Sequence, residues 1–294
     1  MSAKFVSGTT GGVQKRNTKL QWKEEMDKVF ERIHQAIANN EKGVVLTVIQ
    51  IEGSSPGRLG DKMLVLASGE TFGTIGGGRA EYEAVREVQR NWKRRDLWRK
   101  RYDLDEKGGM LCGGSMEVLF EPIGTRERMV IFGAGHVGEI LARLAPQSGF
   151  WTVVVDHREE FANKAALPLA HQIICAPYAR ALKQVELDES TYVVVVTNSH
   201  AYDALVLKHC APQKLAYLGA IGSATKTKKI LGDLAREGIP PEMIEKIRMP
   251  IGLNIGAQTP FEIAVSIMAE IIAVKYAVDV QSVSMKTAFK EGNG

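Results

Sequence analysis

The sequence predicts an α/β protein of two domains, on three observations. The chain of 294 residues has the length of two average domains. From residue 129 onward, β-branched runs alternate with amphipathic segments, which indicates a parallel sheet with helical crossovers. The run at 129–132 is followed directly by Gly133-Ala134-Gly135-His136-Val137-Gly138. We therefore predict an N-terminal α/β domain at 19–124, a Rossmann-like domain with a parallel sheet at 128–280, and flexible tails at 1–18 and 281–294.

The first domain is predicted to begin with a helix, because apolar residues recur at three- and four-residue steps over 20–37. Runs at 44–51 and 63–67 predict short strands, and the alternation over 115–123 predicts a third. A charged segment at 80–92 predicts a second helix. The stretch 122–128 predicts a linker.

The second domain is predicted to alternate strands with helices. Strands are expected at 129–132, 152–155, 171–175, 192–197 and 217–221, with the first helix at 139–145. The last helix has a clear start, with Thr259 as N-cap, Pro260 at its first position and Glu262 three residues after the cap.

Composition excludes several classes of protein. No run reaches the ~18 apolar residues of a membrane span, and the first residues lack the apolar core of a secretory signal. Three cysteines without a C-x-x-C pair do not make a disulfide framework, so we expect a reducing, cytoplasmic setting. The net charge is +4, and residues 92–101 alone carry six basic residues and one Asp. Because the positive charge is confined to this one run, it argues against nucleic-acid binding. We interpret the run as a solvated helix end or a docking site for an acidic partner.

The glycine motif at 133–138 predicts a dinucleotide-binding turn. Gly133 permits a tight turn, Gly135 lets a pyrophosphate approach the backbone, and Gly138 lets the helix lie close to the strand. The next strand ends at Asp156, 18 residues after the motif, where an acid would bind the ribose. Arg158 offers a contact for a 2′-phosphate instead, so NAD and NADP both remain open. A scaffold that has lost its nucleotide also remains open, and His136 either faces the ligand or caps the turn.

Three loops of the first domain are rich in glycine: 53–60, 73–78 and 108–114. They are either ordinary tight turns or backbone that approaches a ligand and presents N–H groups to an anion. Cys112 lies in the last loop, where neighbouring amides would acidify its thiol and make it a metal ligand or sulfur carrier; the alternative is a packing residue.

Two other stretches are weaker candidates. The stretch 197–203 contains Ser199, His200 and Asp203, but a triad is assembled by the fold, so a hydrolase is disfavoured, whereas His200 stays a candidate at the ligand-binding edge of the sheet. Residues 219–223 with Lys226 look like a phosphate cradle, but they lack the spacing of a P-loop NTPase.

Taken together, these segments resemble the XdhC/CoxI family, the accessory factors of xanthine dehydrogenase and related molybdenum hydroxylases. The resemblance covers about residues 25–275 and rests on eight motifs in order: EGSSPGRLGDKMLV at 52–65, GTIGGGRAEYEAV at 73–85, LCGGSMEVLFEP at 111–122, FGAGHVG at 132–138, VVDHREEF at 154–161, TNSHAYD at 197–203, YLGAIGS at 217–223 and PIGLNIGAQTPFEIAVSIMAEIIA at 250–273.

The resemblance implies an assembly role. Such factors bind molybdenum cofactor, hold it while a cysteine desulfurase exchanges an oxo for a sulfido ligand, and deliver it to the hydroxylase. The family cysteine falls on Cys112, which is implied as a molybdenum contact or a sulfur-handling group. The glycines beside it and in the 73–78 loop are implied as contacts for the pterin phosphate: Gly76, Gly77, Gly78, Gly113 and Gly114. We also expect a homodimer, in which a partner surface closes the site.

The chain departs from the family pattern at four places. Arg79 stands where many relatives have Cys, and could pair with a phosphate instead. Asn198 and Ser199 stand where many relatives have the His and Asp of T-H-D-H, so that only His200 of this stretch remains, and Asn254 and Ala224 replace an Asp and an Arg. A maturation factor without turnover of its own is therefore our first hypothesis. An NAD(P)-dependent oxidoreductase is the alternative, with His200 or His136 as its acid or base.

Overall fold

The computed structural model describes residues 18–104 and 113–279. The predicted tails therefore lie outside the described residues, except for Thr18, which begins the first helix. The chain divides between Thr125 and Arg126 into two compact units, which we describe separately. No helix in the described part is both long and apolar enough to cross a membrane.

The first unit is a five-stranded antiparallel sheet with two helices. The strand order is β3-β2-β1-β5-β4, and each neighbouring pair is antiparallel. In chain order the elements are α1 (Thr18–Ala38), β1 (Gly43–Glu52), β2 (Lys62–Leu66), β3 (Thr71–Gly73), α2 (Gly78–Arg90), β4 (Trp98–Asp103) and β5 (Ser115–Ile123).

Successive residues of β1 serve opposite faces of this sheet. Val44 and Leu46 pack in a cluster with Ala80 and Ala84 of α2, while Val45 packs with Ala36 of α1. The period-two alternation of a strand places α1 and α2 on opposite sides, so the central strand is buried on both faces.

The basic run at 92–101 is not a helix end, as the sequence had suggested; its second half forms β4, at the edge of the sheet. Trp98 is buried and stacks on Phe120 of β5 with ring centroids 4.9 Å apart, and Tyr102 is buried on the same face. Two aromatic residues four apart share a face in a strand as well as in a helix, so the spacing alone was ambiguous. The three cations between them are in ion pairs with different elements: Arg99 with Glu117 of β5, Lys100 with Glu87 of α2 and Arg101 with Glu52 at the end of β1.

The second unit is a six-stranded parallel sheet covered by helices. Its elements are β6 (Arg128–Phe132), α3 (His136–Gln147), β7 (Trp151–Asp156), β8 (Gln172–Cys175), α4 (Tyr178–Ala181), β9 (Thr191–Val195), α5 (His200–Cys210), β10 (Tyr217–Ala220), α6 (Ala224–Arg236), α7 (Pro241–Ile244), β11 (Ile247–Arg248) and α8 (Pro260–Lys275). The predicted Rossmann-like parallel sheet is confirmed, and so is the capped start of α8 at Thr259.

The strand order of this sheet is β11-β10-β9-β6-β7-β8, with all pairs parallel. Numbered in chain order from β6 and read from β8, this is the 3-2-1-4-5-6 order of dinucleotide-binding Rossmann domains. The order reverses between β6 and β9, so a crevice at their carboxyl ends is the expected place for a ligand.

Two apolar layers sandwich the parallel sheet. Alternate residues of β6, Met129 and Ile131, pack in the layer that contains α3 and α8. Val130 and Phe132 pack in the layer that contains α4, α5 and α6. Since both faces are buried, the strands are continuous apolar runs. Packing in the two layers fixes the carboxyl ends of the strands, which form the edge where a ligand is expected.

Candidate functional site at the carboxyl edge of the parallel sheet

The turn between β6 and α3 requires glycine at two positions for steric reasons. Gly133 has φ +109°, and a Cβ there would overlap the carbonyl oxygen of Val196, which follows β9. A Cβ on Gly138 would overlap the carbonyl oxygen of Gly133. By contrast, a Cβ on Gly135 would meet no atom of the described residues within 4 Å. Gly133 and Gly138 thus bring strands and helix together, while Gly135 borders open space, as a phosphate-binding turn requires.

Two exposed histidines begin the helices that flank the switch point. His136 is the first residue of α3, which follows β6, and His200 is the first residue of α5, which follows β9. Ser199 caps α5 by accepting a hydrogen bond from the amide of Ala201, so this serine is used structurally. Both histidines are at the predicted edge.

Asp156, the predicted ribose-binding acid, is instead fully buried in an ion pair. Its Oδ2 accepts the backbone N–H of Ala134 at 2.8 Å and an N–H of the Arg158 guanidinium at 2.9 Å. Its Oδ1 accepts the backbone N–H and Nε–H of Arg158, at 3.1 and 3.0 Å. Burial disfavours the charged form, but these hydrogen bonds outweigh it and hold the pKa of Asp156 below its usual value.

This arrangement does not fit the usual contact between an acid and a nucleotide ribose. Both carboxylate oxygens of Asp156 are occupied, and the Arg158 guanidinium lies over the ring of Phe161, 4.0 Å from its centroid. The Asp156–Arg158 pair therefore fastens β7 to the glycine turn, and in this geometry the Asp156 carboxylate is not free to read a ribose.

A second buried charge, Asp203 on α5, was not identified from the sequence as an ion-pair partner. Its Oδ1 accepts the hydroxyl of Thr197 at 2.6 Å, and its Oδ2 lies 2.6 Å from Nζ of Lys226 on α6. The one available signal was that Asp203 falls on the apolar side of α5, next to Val206 and Leu207. The pair ties together the ends of β9 and β10; it rules out Asp203 as the third member of a triad with Ser199 and His200.

An aromatic cluster lies beside these charges. The rings of His157, Tyr178 and Tyr202 are 5.0–5.5 Å apart between centroids. Within the described ranges, the buried Tyr178 hydroxyl has no hydrogen-bond partner. Burial, with the negative charge of Asp156, raises the pKa of the Tyr178 phenol above its ordinary value. The Tyr178 phenol is therefore neutral, and the three rings pack beside the charged pairs.

The described parts of the three glycine-rich loops of the first unit lie together. Gly57 lies against Ile75 and Gly76, because a Cβ on Gly57 would overlap the carbonyl oxygen of Ile75. A Cβ on Gly114 would overlap the carbonyl oxygen of Ser54, and Ser54 forms a bridge with Gly113. The close contacts leave no room for side chains, so these glycines join three loops into one cluster.

Within this cluster, some of the amides expected to face a phosphate are already used. One carboxylate oxygen of Glu81 accepts the backbone N–H groups of Ile75 and Gly77, at 3.1 and 3.0 Å, and the hydroxyl of Thr74 at 2.5 Å. Gly78 begins α2 at φ +66°, and a Cβ on Gly77, Gly78 or Gly113 would meet no atom of the described chain within 4 Å. At these three glycines, then, no described atom stands where a side chain would be.

Cys112 lies outside the described residues, so only its covalent neighbour Gly113 is placed. In the parts of the chain that the structure describes, no three His, Cys, Asp or Glu side chains come together as a metal site would require.

Two family models match the chain over most of its length. The model described as "XdhC and CoxI family" matches residues 36–103, and the model described as "XdhC Rossmann domain" matches residues 129–271. The chain belongs to the XdhC/CoxI family. The first match covers the glycine loops at 53–60 and 73–78, and the second covers the β6–α3 turn and the parallel sheet from Met129 onward.

Individual relatives are longer than this member of the XdhC/CoxI family. It is 34% identical over 233 residues to "Uncharacterized protein YqeB" of Escherichia coli (strain K12), which covers 78% of this chain and 42% of that protein. It is 34% identical over 163 residues to a probable xanthine dehydrogenase subunit of Bacillus subtilis (strain 168), which covers 55% of this chain and 47% of that protein. The chain thus spans less than half the length of these curated relatives.

Among solved structures, the chain is similar to a crystal structure described as a xanthine dehydrogenase from Bacillus halodurans. The sequence identity is 23% and the TM-score is 0.48, over 88% of this chain and 98% of the other.

The four departures from the XdhC/CoxI pattern are at exposed positions. Arg79, in the first turn of α2, pairs with Glu83 one helical turn later. Asn198 precedes the cap of α5, and Ala224 is the first residue of α6. Asn254 lines a pocket beyond β10. These substitutions therefore alter surfaces open to a ligand or partner and leave the core unchanged.

Proposed function

We propose that this chain is an accessory factor of a xanthine dehydrogenase-type molybdenum hydroxylase. In this proposal it binds molybdenum cofactor in the cytoplasm, holds it while a cysteine desulfurase supplies the sulfido ligand, and hands it to the apo-hydroxylase. Membership of the XdhC/CoxI family supports the role, and so does the Bacillus subtilis relative named as a probable xanthine dehydrogenase component.

The observation that carries the proposal is the convergence of the three glycine loops in the first unit. Gly113, joined by one peptide bond to Cys112, is bridged to Ser54, and Gly114 packs on the same loop. A thiolate attached to this cluster is a soft ligand suited to molybdenum, and nearby glycine amides suit a pterin phosphate. Since Glu81 occupies the amides of Ile75 and Gly77, the cargo phosphate is assigned to the side lined by Gly78 and Gly113.

Arg79 has a place in this proposal. It is the second residue of α2, is more than half exposed and is held by a surface pair with Glu83, which costs little to break. Its guanidinium is thus available to a phosphate at the start of α2, where a cysteine stands in many relatives.

The test is cofactor retention in protein purified from a host that makes molybdenum cofactor, measured by native mass spectrometry with metal analysis. We expect Cys112→Ser to lose most of the bound cofactor at unchanged thermal stability. Cys175→Ser is the matched control, because Cys175 is an exposed free cysteine of the other unit. Equal cofactor content in all three proteins, or none in the wild type, would refute the proposal.

Dimer formation and the handover belong to the same proposal and are tested separately. Sedimentation of the purified chain should give twice the monomer mass of 32.3 kDa. Pull-down of the hydroxylase and the desulfurase by the loaded chain should be stronger than by the C112S variant.

An NAD(P)-dependent oxidoreductase is the second candidate, favoured by the strand order and by the open space at Gly135. The buried Asp156–Arg158 pair weighs against it, because the usual ribose contact is missing. Calorimetric titration with NAD⁺ and NADP⁺ tests this second candidate function. Affinity in the wild type that Gly135→Val abolishes would support nucleotide binding; no heat in either protein would remove this candidate.

A further inference from the structure

The last helix of the second unit, α8, has the composition of a helix that is covered on every side. Over 263–274 its only polar residues are Ser266 and Glu270, and both are buried. The Ser266 hydroxyl donates to the carbonyl oxygen of Leu253 at 2.6 Å, and Glu270 accepts the Tyr217 hydroxyl at 3.0 Å. A surface helix ordinarily has a polar outer face, whereas this stretch of α8 has none.

One face of α8 is nevertheless exposed, and its side chains are apolar. Phe261, Val265, Ile272 and the C-cap residue Tyr276 are each more than a third exposed, and Ala269 is half-buried among them. At about 100° of rotation per residue, the five positions fall within about 80° of the helix circumference. They form a single stripe, about 22 Å long, which we call the α8 stripe.

The order of side chains in the α8 stripe is symmetric about its middle. Phe261 and Tyr276 are at the two ends, and Val265 and Ile272 each lie four residues inward from an end. Reversing the helix therefore leaves the order unchanged: aromatic, β-branched, β-branched, aromatic. Near the middle is Ala269, whose small side chain lets a second helix approach closely. A contact between two identical copies places one patch against itself and requires this symmetry, whereas an unrelated partner does not.

We propose that the α8 stripe is the two-fold contact of a homodimer, in which α8 crosses the same helix of a second copy in antiparallel orientation. In this orientation Phe261 packs against the partner's Tyr276, and Val265 packs against the partner's Ile272. Removal of these apolar side chains from water drives the association. That the chain dimerises at all rests on the proposed function; the location on α8 rests on the stripe alone.

Sedimentation of the full chain over a concentration series tests the contact. A crossing of two helices buries less than the about 1,200 Å² of a standard interface, so the wild-type dimer should dissociate on dilution. We expect Val265→Glu and Ile272→Lys each to raise the dissociation constant at least tenfold, because each puts an unpaired charge into the contact. Leu205→Glu is the matched control, since Leu205 of α5 is as exposed as Ile272 and lies outside the stripe. This control should dimerise as the wild type does.

The double variant V265E/I272K separates loss of the contact from misfolding and also tests the orientation. Across an antiparallel contact, the new carboxylate of each copy faces the new ammonium of the other. Within one helix the two positions are about 10 Å apart along the axis, so they do not pair in their own chain. We therefore expect the double variant to dimerise about tenfold more tightly than either single variant.

Three outcomes would overturn the proposal. They are a wild type that stays monomeric over the whole series, single variants that dimerise like the Leu205→Glu control, and a double variant that dimerises no more tightly than the single ones. The first outcome also removes the dimer from the proposed function, and the other two remove only its location on α8. Cofactor retention in Cys112→Ser tests the accessory role independently of all three.

Discussion

The buried pair of Asp156 and Arg158 makes a quantitative prediction for Asp156→Asn. An amide in this place puts its NH₂ group against N–H donors, whichever way it is turned, because both carboxylate oxygens accept hydrogen bonds. Two charge-assisted hydrogen bonds are lost and the partly buried guanidinium is left without its counter-ion. Since breaking such a pair from one side costs about 3–5 kcal/mol, and Arg158 keeps some exposure, we expect a loss near the lower end, about 3 kcal/mol.

Differential scanning calorimetry measures this loss. For a unit of this size, about 3 kcal/mol corresponds to a decrease of about 6–12 °C in the Tm of the second unit. Arg158→Gln and the double variant complete a double-mutant cycle, in which the two single losses should add to clearly more than the loss in the double variant.

The pH dependence gives an independent check with a definite sign. The pKa of Asp156 is lower in the folded chain than in the unfolded chain, so the folded state is favoured at pH values above the unfolded pKa of about 3.9. The difference between wild type and D156N should therefore be constant from pH 5 to 8 and shrink below about pH 4. If D156N has an unchanged Tm at neutral pH but has lost its affinity for a nucleotide, this reasoning is wrong. Asp156 would then be the ribose contact predicted from the sequence.

Three further predictions concern single groups. Gly138→Ala should lower stability by at least about 3 kcal/mol in urea unfolding, because its Cβ would overlap a backbone carbonyl oxygen that cannot move away. Glu81→Gln should lower the free energy of unfolding by about 1–2 kcal/mol and speed hydrogen exchange over 74–78, because a carboxylate oxygen that accepts three hydrogen bonds is replaced by a neutral amide. The control Glu83→Gln should leave both the stability and the exchange rate nearly unchanged. Burial raises the pKa of the Cys210 thiol to about 12, so at pH 8 iodoacetamide should label exposed Cys175 in the native chain and leave Cys210 unlabelled until urea is added; labelling of both at equal rates would contradict the burial.

Local signals in the sequence predicted the structure correctly where the role of a residue depends on its neighbours in the chain. The capping box at Thr259 and Glu262 appears in the structure with both of its hydrogen bonds. The glycine turn at 133–138 joins a strand to a helix as predicted, and the alternation after residue 129 correctly predicted a parallel sheet. Each of these signals is decided by backbone geometry within a few residues.

Signals that depend on distant partners were ambiguous. The spacing of Trp98 and Tyr102 fitted a helix and a strand equally, and only pairing with β5 decided for the strand. Asp156 ends its strand as a ribose-binding acid would, yet the approach of Ala134 and Arg158 buries it.

By itself, the sequence determined the fold class, the order of most elements and the family motifs, because hydrophobic periodicity and glycine placement are properties of the chain. Only the tertiary structure decided which polar groups are already paired. It assigned Glu81 to the amides of the glycine loop and Lys226 to Asp203, and it brought the 250–257 loop over the end of β10 to form a cavity. The physical reason is that a buried charge takes whichever partner the fold brings within hydrogen-bond reach, and that partner is set by packing between elements far apart in the sequence.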